Sequence, residues 1–215
     1  MTIRYDNRVA VVTGAGSGLG RSHALFLASR GAKVVVNDLG GAVDGSGAST
    51  SAGEKVVAEI KAAGGEAVAN ADSVATPEGA ANIIQSAIDN YGQIDILINN
   101  AGNLRDKSFA KLQPEDFDAV VDVHLSGSAY CTLAAWPHMK DAGYGRIVMT
   151  TSSAGLFGNF GQGNYAAAKM GVFGLMNALK HEGRKFNVNI NTLAPMALTR
   201  MTEDIMSDKI KPLVK

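Results

Sequence analysis

The sequence is poor in cysteine: Cys131 stands alone among 215 residues. A single thiol cannot close an internal disulfide, which fits a reducing compartment. It also lacks an excess of either charge, with 20 Lys+Arg against 20 Asp+Glu. That balance disfavours nucleic acid as the main partner, because phosphate binding calls for a basic surplus. Nowhere do about 18 apolar residues run on uninterrupted, so no membrane span is predicted. Residues 1–8 are polar and do not read as a signal peptide, so the expected compartment is the cytoplasm. The four histidines (His23, His124, His138 and His181) show no ligand spacing, and no metal site is predicted. Hydrophobic content of 46% with 19% charged residues excludes a disordered chain.

Glycine, by contrast, is plentiful. There are 25, where average usage of about 7% would give about 15. They follow no fixed period, so collagen-like and low-complexity chains are excluded. Thirteen fall in three clusters: 14, 16, 18 and 20; 40, 41, 45, 47 and 53; and 155, 158, 161 and 163. These clusters are expected to be three loops around one ligand crevice.

Short β-branched runs alternate with segments of helical period. Strands are predicted over 8–13, 33–37, 66–70, 94–98, 146–151 and 188–193. Helices are predicted over 17–30, 54–63, 77–91, 114–141 and 164–184. Thr76 is expected to cap the third helix, with Pro77 as its first residue. Residues 39–53 read as a Gly/Ser-rich loop. This alternation predicts one α/β domain, 1–215, with a doubly wound parallel sheet in the order 3-2-1-4-5-6 and right-handed crossovers.

The first strand runs into Thr13-Gly14-Ala15-Gly16-Ser17-Gly18-Leu19-Gly20 and then a helix. Glycines allow close backbone approach, and a helix N-terminus offers free N–H groups and a positive dipole end. Together they make a pyrophosphate cradle, although the spacing is T-G-x-x-x-G-x-G rather than G-x-G-x-x-G. Asp38 ends the second strand. A carboxylate there accepts from ribose hydroxyls and repels a 2′-phosphate, which favours NAD over NADP; a loop or cap aspartate is the plainer alternative. Arg21 is a mild counter-signal, expected on the outer helix face. Asp72, with Ser73 beside it, either flanks the adenine or closes a turn.

Tyr165 and Lys169 lie at i and i+4, on one helix face. A lysinium favours phenolate, so the tyrosine pKa is expected to fall below its usual value of about 10. Ser152 ends the fifth strand, where the carboxyl ends of parallel strands meet a ligand. Ser153 is the competing hydroxyl, but strand alternation turns it away.

These motifs, with Asn99-Asn-Ala-Gly102, resemble the short-chain dehydrogenase/reductase family over essentially the whole chain. The resemblance implies a Rossmann-type domain in which Tyr165 exchanges a proton with the substrate oxygen and Ser152 orients that oxygen. It implies that Lys169 binds the nicotinamide ribose and acts on Tyr165. Asn99, Ala101 and Gly102 would line the adenosine side, with Asn99 the main contact, and Pro195 and Thr199 would reach the nicotinamide end.

Further markers narrow the likeness. They are Val35-Val-Asn-Asp-Leu-Gly-Gly41, Arg105-Asp-Lys-Ser-Phe109, Val123-His-Leu125, Ala134-Ala-Trp136 and Gly158-Asn-Phe-Gly-Gln162. They resemble the (3R)-hydroxyacyl-CoA dehydrogenase units of peroxisomal multifunctional enzymes and their bacterial relatives. Oxidation of a (3R)-3-hydroxyacyl-CoA by NAD is implied. A steroid or other hydrophobic secondary alcohol is the alternative within enzymes, and a non-catalytic nucleotide-binding scaffold is the alternative outside them.

Two positions depart from the family. His124 stands where most members have asparagine. It is expected to keep a proton relay through its backbone carbonyl, to titrate near pH 6–7, or simply to pack. Pro195-Met196 replaces the usual Pro-Gly. The resemblance implies a homodimer or homotetramer, with Ala166, Ala167, Ala168, Gly171 and Gly174 on one helix, and Trp136 and Met139 on another, at the interface or in the core. It also implies a further helix and a seventh strand. Here a short polar helix is expected over 202–208, so either the chain is truncated or the sheet stops at six strands. A peroxisome would be implied for a eukaryotic multifunctional enzyme, although Pro212-Leu-Val-Lys215 is not a peroxisomal address.

Overall fold

The computed structural model describes residues 3–47, 49 and 51–197. Six parallel strands form one sheet: β1 (Val9–Thr13), β2 (Lys33–Asn37), β3 (Glu66–Asn70), β4 (Ile96–Asn99), β5 (Gly145–Thr150) and β6 (Val188–Leu193). Their order is β3-β2-β1-β4-β5-β6, as predicted. The strand order reverses between β1 and β4, which creates the switch point at which such sheets bind ligands. The helix expected over 202–208 and Thr199 lie outside the described residues.

Pleating sorts the side chains of each strand. Val9, Val11, Val35, Leu97, Ile147 and Ile190 point to one face. There they meet α3 (Pro77–Tyr91), α5 (Gly127–Ala142) and α7 (Gly163–Gly183) through Ile83, Ile84, Met139 and Val172. Ala10, Val12, Val34, Val36 and Ile98 point to the other face, where α1 (Gly18–Ser29) and α2 (Ser51–Ala62) close over them with Leu27 and Ile60. Burial on both faces explains why these strands read as continuous apolar runs. Cys131 lies in the first of these cores, and burial pushes its thiol up to about 12.

The predicted boundaries of α3 hold. Thr76 Oγ1 accepts from Gly79 N at 3.1 Å, Pro77 opens the helix, and Gly92 ends it at φ 77°. Elsewhere the sequence reading needs correction. The single helix predicted over 114–141 divides into α4 (Pro114–Val121), a π-helical stretch (Asp122–Ser126) and α5. Gly127 N–H donates to Asp122 O, five residues back, and the widened turn sends His124 into the interior. A short helix, α6 (Ser153–Phe157), occupies part of a stretch read as loop. The three glycine clusters are therefore not wholly loops: Gly18 and Gly20 lie in α1, Gly53 in α2, Gly155 in α6, and Gly163 opens α7.

Among the described residues no helix is long and apolar enough to cross a membrane. None of their His, Cys, Asp and Glu side chains gather in threes in a way that could hold a metal ion.

Candidate active site

The carboxyl ends of the strands open into a cleft with two parts. The first, about 200 Å³, is lined by Gly14, Ser17, Gly18, Leu19 and Gly20 from the turn before α1. Asp38, Asp72, Ser73, Asn100, Ala101 and Gly102 are among the residues that line the rest of it. The turn is locked by two side chains that bond its backbone groups and those of the segment after β4. Thr13 Oγ1 accepts from Asn100 N and Ala101 N, both at 3.0 Å. Asn100 Nδ2 donates to Thr13 O at 2.9 Å and to Gly14 O at 3.1 Å. Gly14 has φ +64°, and a Cβ there would lie 2.8 Å from Ala101 Cα. A Cβ on Gly20 would collide with Gly14 O.

At the start of α1 the Ser17 side chain makes no capping bond, and no acidic residue stands in the first turn. The helix N-terminus is therefore left to a ligand with acceptors, and a pyrophosphate suits it. Asp38 stands beside this turn, with Oδ2 accepting from Gly16 N at 2.6 Å and Oδ1 from Gly40 N at 2.7 Å. Each oxygen keeps further acceptor capacity for a ribose hydroxyl. Asp72 is tied into its turn by Asn70 Nδ2 at 2.7 Å and also lines the cleft. Arg21 lies outside, paired with Glu59 of α2. The residues thus fit a dinucleotide cofactor.

One expected contact moves by a residue. Asn99 is buried, gives its amide to Thr132 Oγ1 at 3.1 Å and does not line the cleft. Asn100 takes the place beside the glycine turn. The pleat at the end of β4 separates these neighbours, and the sequence alone does not fix which faces the ligand.

The second part of the cleft, about 190 Å³, is lined by Ser152, Gln162, Tyr165 and Lys169, with His124, Thr150, Pro195 and Ala197. Ser152 follows β5, and Ser153 is turned into α6, outside the lining. Ser152 Oγ accepts from Ala154 N at 3.2 Å and lines the same cavity as the Tyr165 phenol. Lys169 Nζ lies 5.6 Å from the Tyr165 ring centre and donates to Thr150 O at 2.6 Å. The predicted constellation is therefore assembled.

Its protonation runs against the sequence expectation. Burial raises the Tyr165 pKa above its ordinary value; the Ser152 hydrogen bond pulls it down, and the Asp106 charge adds to the rise. Burial also lowers Lys169 to about 7. The i,i+4 spacing gave the pairing but not the desolvation both groups undergo.

His124 is fully buried and meets the Tyr165 ring edge-on, with centres 5.1 Å apart. Its Nε2 faces the Asn103 backbone, 2.8 Å from the carbonyl oxygen. Burial, then the nearby Lys169 charge, lowers its pKa well below the usual value, the direction opposite to what titration near pH 6–7 calls for. Its backbone carbonyl accepts from Ser128 Oγ at 2.6 Å, so that oxygen already has a donor.

The small-residue stripe is divided between inside and outside. Ala168 and Met139 are buried, Trp136 packs against the core, and a Cβ on Gly171 would meet Leu125 at 2.7 Å. A Cβ on Gly174 would meet open space.

The sequence reading missed Gln162. It lies three residues before Tyr165, and its only sequence signal was its place in the Gly158–Gln162 marker. The segments around this part of the cleft also carry exposed Leu156, Phe157, Phe160 and Met196.

Comparison with known proteins agrees with the geometry. The short chain dehydrogenase family model matches residues 8–210. A short-chain dehydrogenase/reductase-type protein of Mycobacterium tuberculosis is 57% identical over 95% of this chain and 72% of its own length. The peroxisomal multifunctional enzyme type 2 of Mus musculus is 53% identical over 99% of this chain, which spans 29% of that enzyme. A solved 7α-hydroxysteroid dehydrogenase, complexed with NADH and a 7-oxo bile acid, superposes with a TM-score of 0.88 at 29% identity. That match covers 97% of this chain and 78% of the other.

Proposed function

The chain belongs to the short-chain dehydrogenases, and from that premise we propose that it oxidises a (3R)-3-hydroxyacyl-CoA to the 3-oxoacyl-CoA with NAD. The carrying observation is that Ser152, Tyr165 and Lys169 line one cavity beside the glycine turn. The mouse multifunctional relative supports the substrate class. Exposed Phe157 and Phe160 near Ser152 and Tyr165 suit an apolar acyl chain.

Gly14, Ser17, Gly18, Leu19 and Gly20 would hold the pyrophosphate, and Asp38 the adenosine ribose. Asp72 and Ser73 would flank the adenine, Ala101 and Gly102 would follow the cofactor between the halves, and Tyr165, Lys169 and Pro195 would bound the nicotinamide end. When bound, the nicotinamide supplies the hydride acceptor. The protein handles the proton. The Tyr165 phenolate oxygen takes it from the substrate hydroxyl, while Ser152, in the same cavity wall, orients the reacting oxygen. A protonated Lys169 would favour the phenolate and oppose the effect of burial.

We also propose a homo-oligomer formed through α5 and α7, on which Leu133 is 68% exposed and Met170 38%. Light scattering tests this: a single-chain mass at micromolar concentration would contradict it.

A steroid alcohol is the second reading, favoured by the fold match to the hydroxysteroid enzyme. Nicotinamide reduction with paired (3R)- and (3S)-3-hydroxyacyl-CoA of several chain lengths, against a hydroxysteroid, separates the two. Turnover of the (3R) series alone is expected. Turnover of the steroid with neither acyl-CoA would reverse the assignment.

A further inference from the structure

Gln162 is buried, at 5% exposure, in the wall that carries Ser152 and Tyr165. Its backbone carbonyl already receives Ala166 N at 2.8 Å, so it sits at the fixed first turn of α7. Its side-chain amide is oriented by two partners. Asn159 Nδ2 donates to Gln162 Oε1 at 3.0 Å, and Gln162 Nε2 donates to Asp106 Oδ2 at 2.7 Å. A carboxylate can only accept, so the atom facing Asp106 must be the nitrogen. That nitrogen carries a second hydrogen, and the geometry around Asp106 does not use it.

Several other polar groups of this wall have protein partners, while Thr150 Oγ1 and His124 Nδ1 have none. Asn100 serves the Thr13 and Gly14 carbonyls, Thr151 Oγ1 bonds Lys169 O, Lys169 bonds Thr150 O, and His124 bonds the Asn103 backbone. Ser152 and Tyr165 are committed to the reacting oxygen. Gln162 stands out in this wall as a buried amide donor whose direction is set by two side-chain partners, which suits it to a second polar group on the substrate.

We propose that Gln162 donates its second amide hydrogen to a carbonyl oxygen two carbons from the reacting carbinol, and that Asp106 is the positioning residue that aims it. The pair makes the site selective for β-hydroxy carbonyl compounds over plain secondary alcohols. This rests on the hydroxyacyl reading above, because the thioester C1 carbonyl stands at that distance from C3. Asp106 is exposed and strengthens the amide donor through a charge-assisted bond. A site built to bond a substrate group discriminates strongly against analogues lacking it.

The test compares kcat/KM for a (3R)-3-hydroxyacyl-CoA and for a plain secondary alkanol of matched chain length, in the full chain. The variants are Gln162→Met, Gln162→Glu and Asp106→Ala, with melting temperature and cofactor titration measured alongside. For Gln162→Met, kcat/KM for the hydroxyacyl substrate should fall about 10- to 100-fold more than kcat/KM for the alkanol. Asp106→Ala should lower the same ratio by about 3- to 10-fold, through KM more than kcat. Gln162→Glu replaces the donor by an acceptor and should lose at least as much as Gln162→Met. An equal fall for both substrates, or no fall, overturns the inference and leaves the hydroxyacyl reading standing. If the wild-type chain turns over the alkanol but not the hydroxyacyl-CoA, both are overturned.

Discussion

The turn at residues 14–20 holds its shape with backbone groups, whereas the cavity around Tyr165 is walled by buried side chains. In the turn, a threonine hydroxyl and an asparagine amide tie peptide groups together, and glycines keep Cβ atoms out. Around Tyr165 the polar atoms are only partly satisfied. Asn99 Oδ1, Asn103 Oδ1, His124 Nδ1 and Thr150 Oγ1 are buried without a protein partner. All four lie at the ends of β4 and β5 or on segments packed beside them. Binding a constant group needs only a fixed backbone surface. Moving a proton needs side chains whose protonation is displaced by burial, at a cost in stability.

The largest effect should come from adding bulk to the backbone half. Gly20→Val would drive a side chain into the Gly14 carbonyl. Cofactor affinity should drop more than about a hundredfold, with about 1–3 kcal/mol lost in stability. Cofactor titration and thermal melts check it.

Lys169 should show the opposite balance. Its pKa is about 7 in the native state against 10.5 as the ordinary value. Between these, the unfolded chain binds a proton that the native chain does not, so stability falls as pH drops from about 10.5 to about 7. Below that the penalty is complete. Lys169→Met should therefore stabilise the protein at pH 6 by about 1–4 kcal/mol, with the gain shrinking as pH rises towards 10. Urea unfolding at both pH values measures it, and an equal gain at both would remove burial of the ammonium as the cause.

Asp95 provides a reference far from both halves. It precedes β4 at the amino end of the strands, where Arg8, Val9 N and Gln93 all donate to its carboxylate. Asp95→Ala should cost about 2 kcal/mol, with kcat and KM unchanged in the folded fraction. A changed KM would show that the two ends of the sheet are coupled.

The smallest of these effects belongs to Asp38. Asp38→Ser should lower the preference for NAD over NADP about tenfold, equivalent to about 1.4 kcal/mol. Equal kcat/KM for the two cofactors in the wild-type chain would already dismiss its ribose role. Asp38 also holds Gly16 and Gly40 in place, so a modest loss of stability is expected with the change in selectivity.

The backbone half was nearly all legible in the sequence. Glycine spacing, a preceding β-branched run and an acid at the next strand end are local patterns, and local patterns survive in one dimension. The sequence reading expects Asn99 at the cleft, where the structure places Asn100, a matter of which way a strand end turns. The side-chain half was legible in membership but not in state. Ser152, Tyr165 and Lys169 are expected together and line one cavity, yet the direction of the Tyr165 shift depends on burial by segments far apart in the chain. The π-helical stretch that buries His124 left no mark in the periodicity, because one extra residue in a turn leaves flanking helical patterns intact. Gln162 was overlooked because its role depends on Asp106 and Asn159, which only the folded chain brings to it.

The division of labour between the halves is tested most directly with Tyr165→Phe, measuring cofactor affinity and turnover on the same preparation. Loss of one hydroxyl should leave cofactor affinity within about threefold and cut kcat by about 10²–10⁴. Undiminished turnover, or loss of cofactor binding in parallel with turnover, would contradict the account.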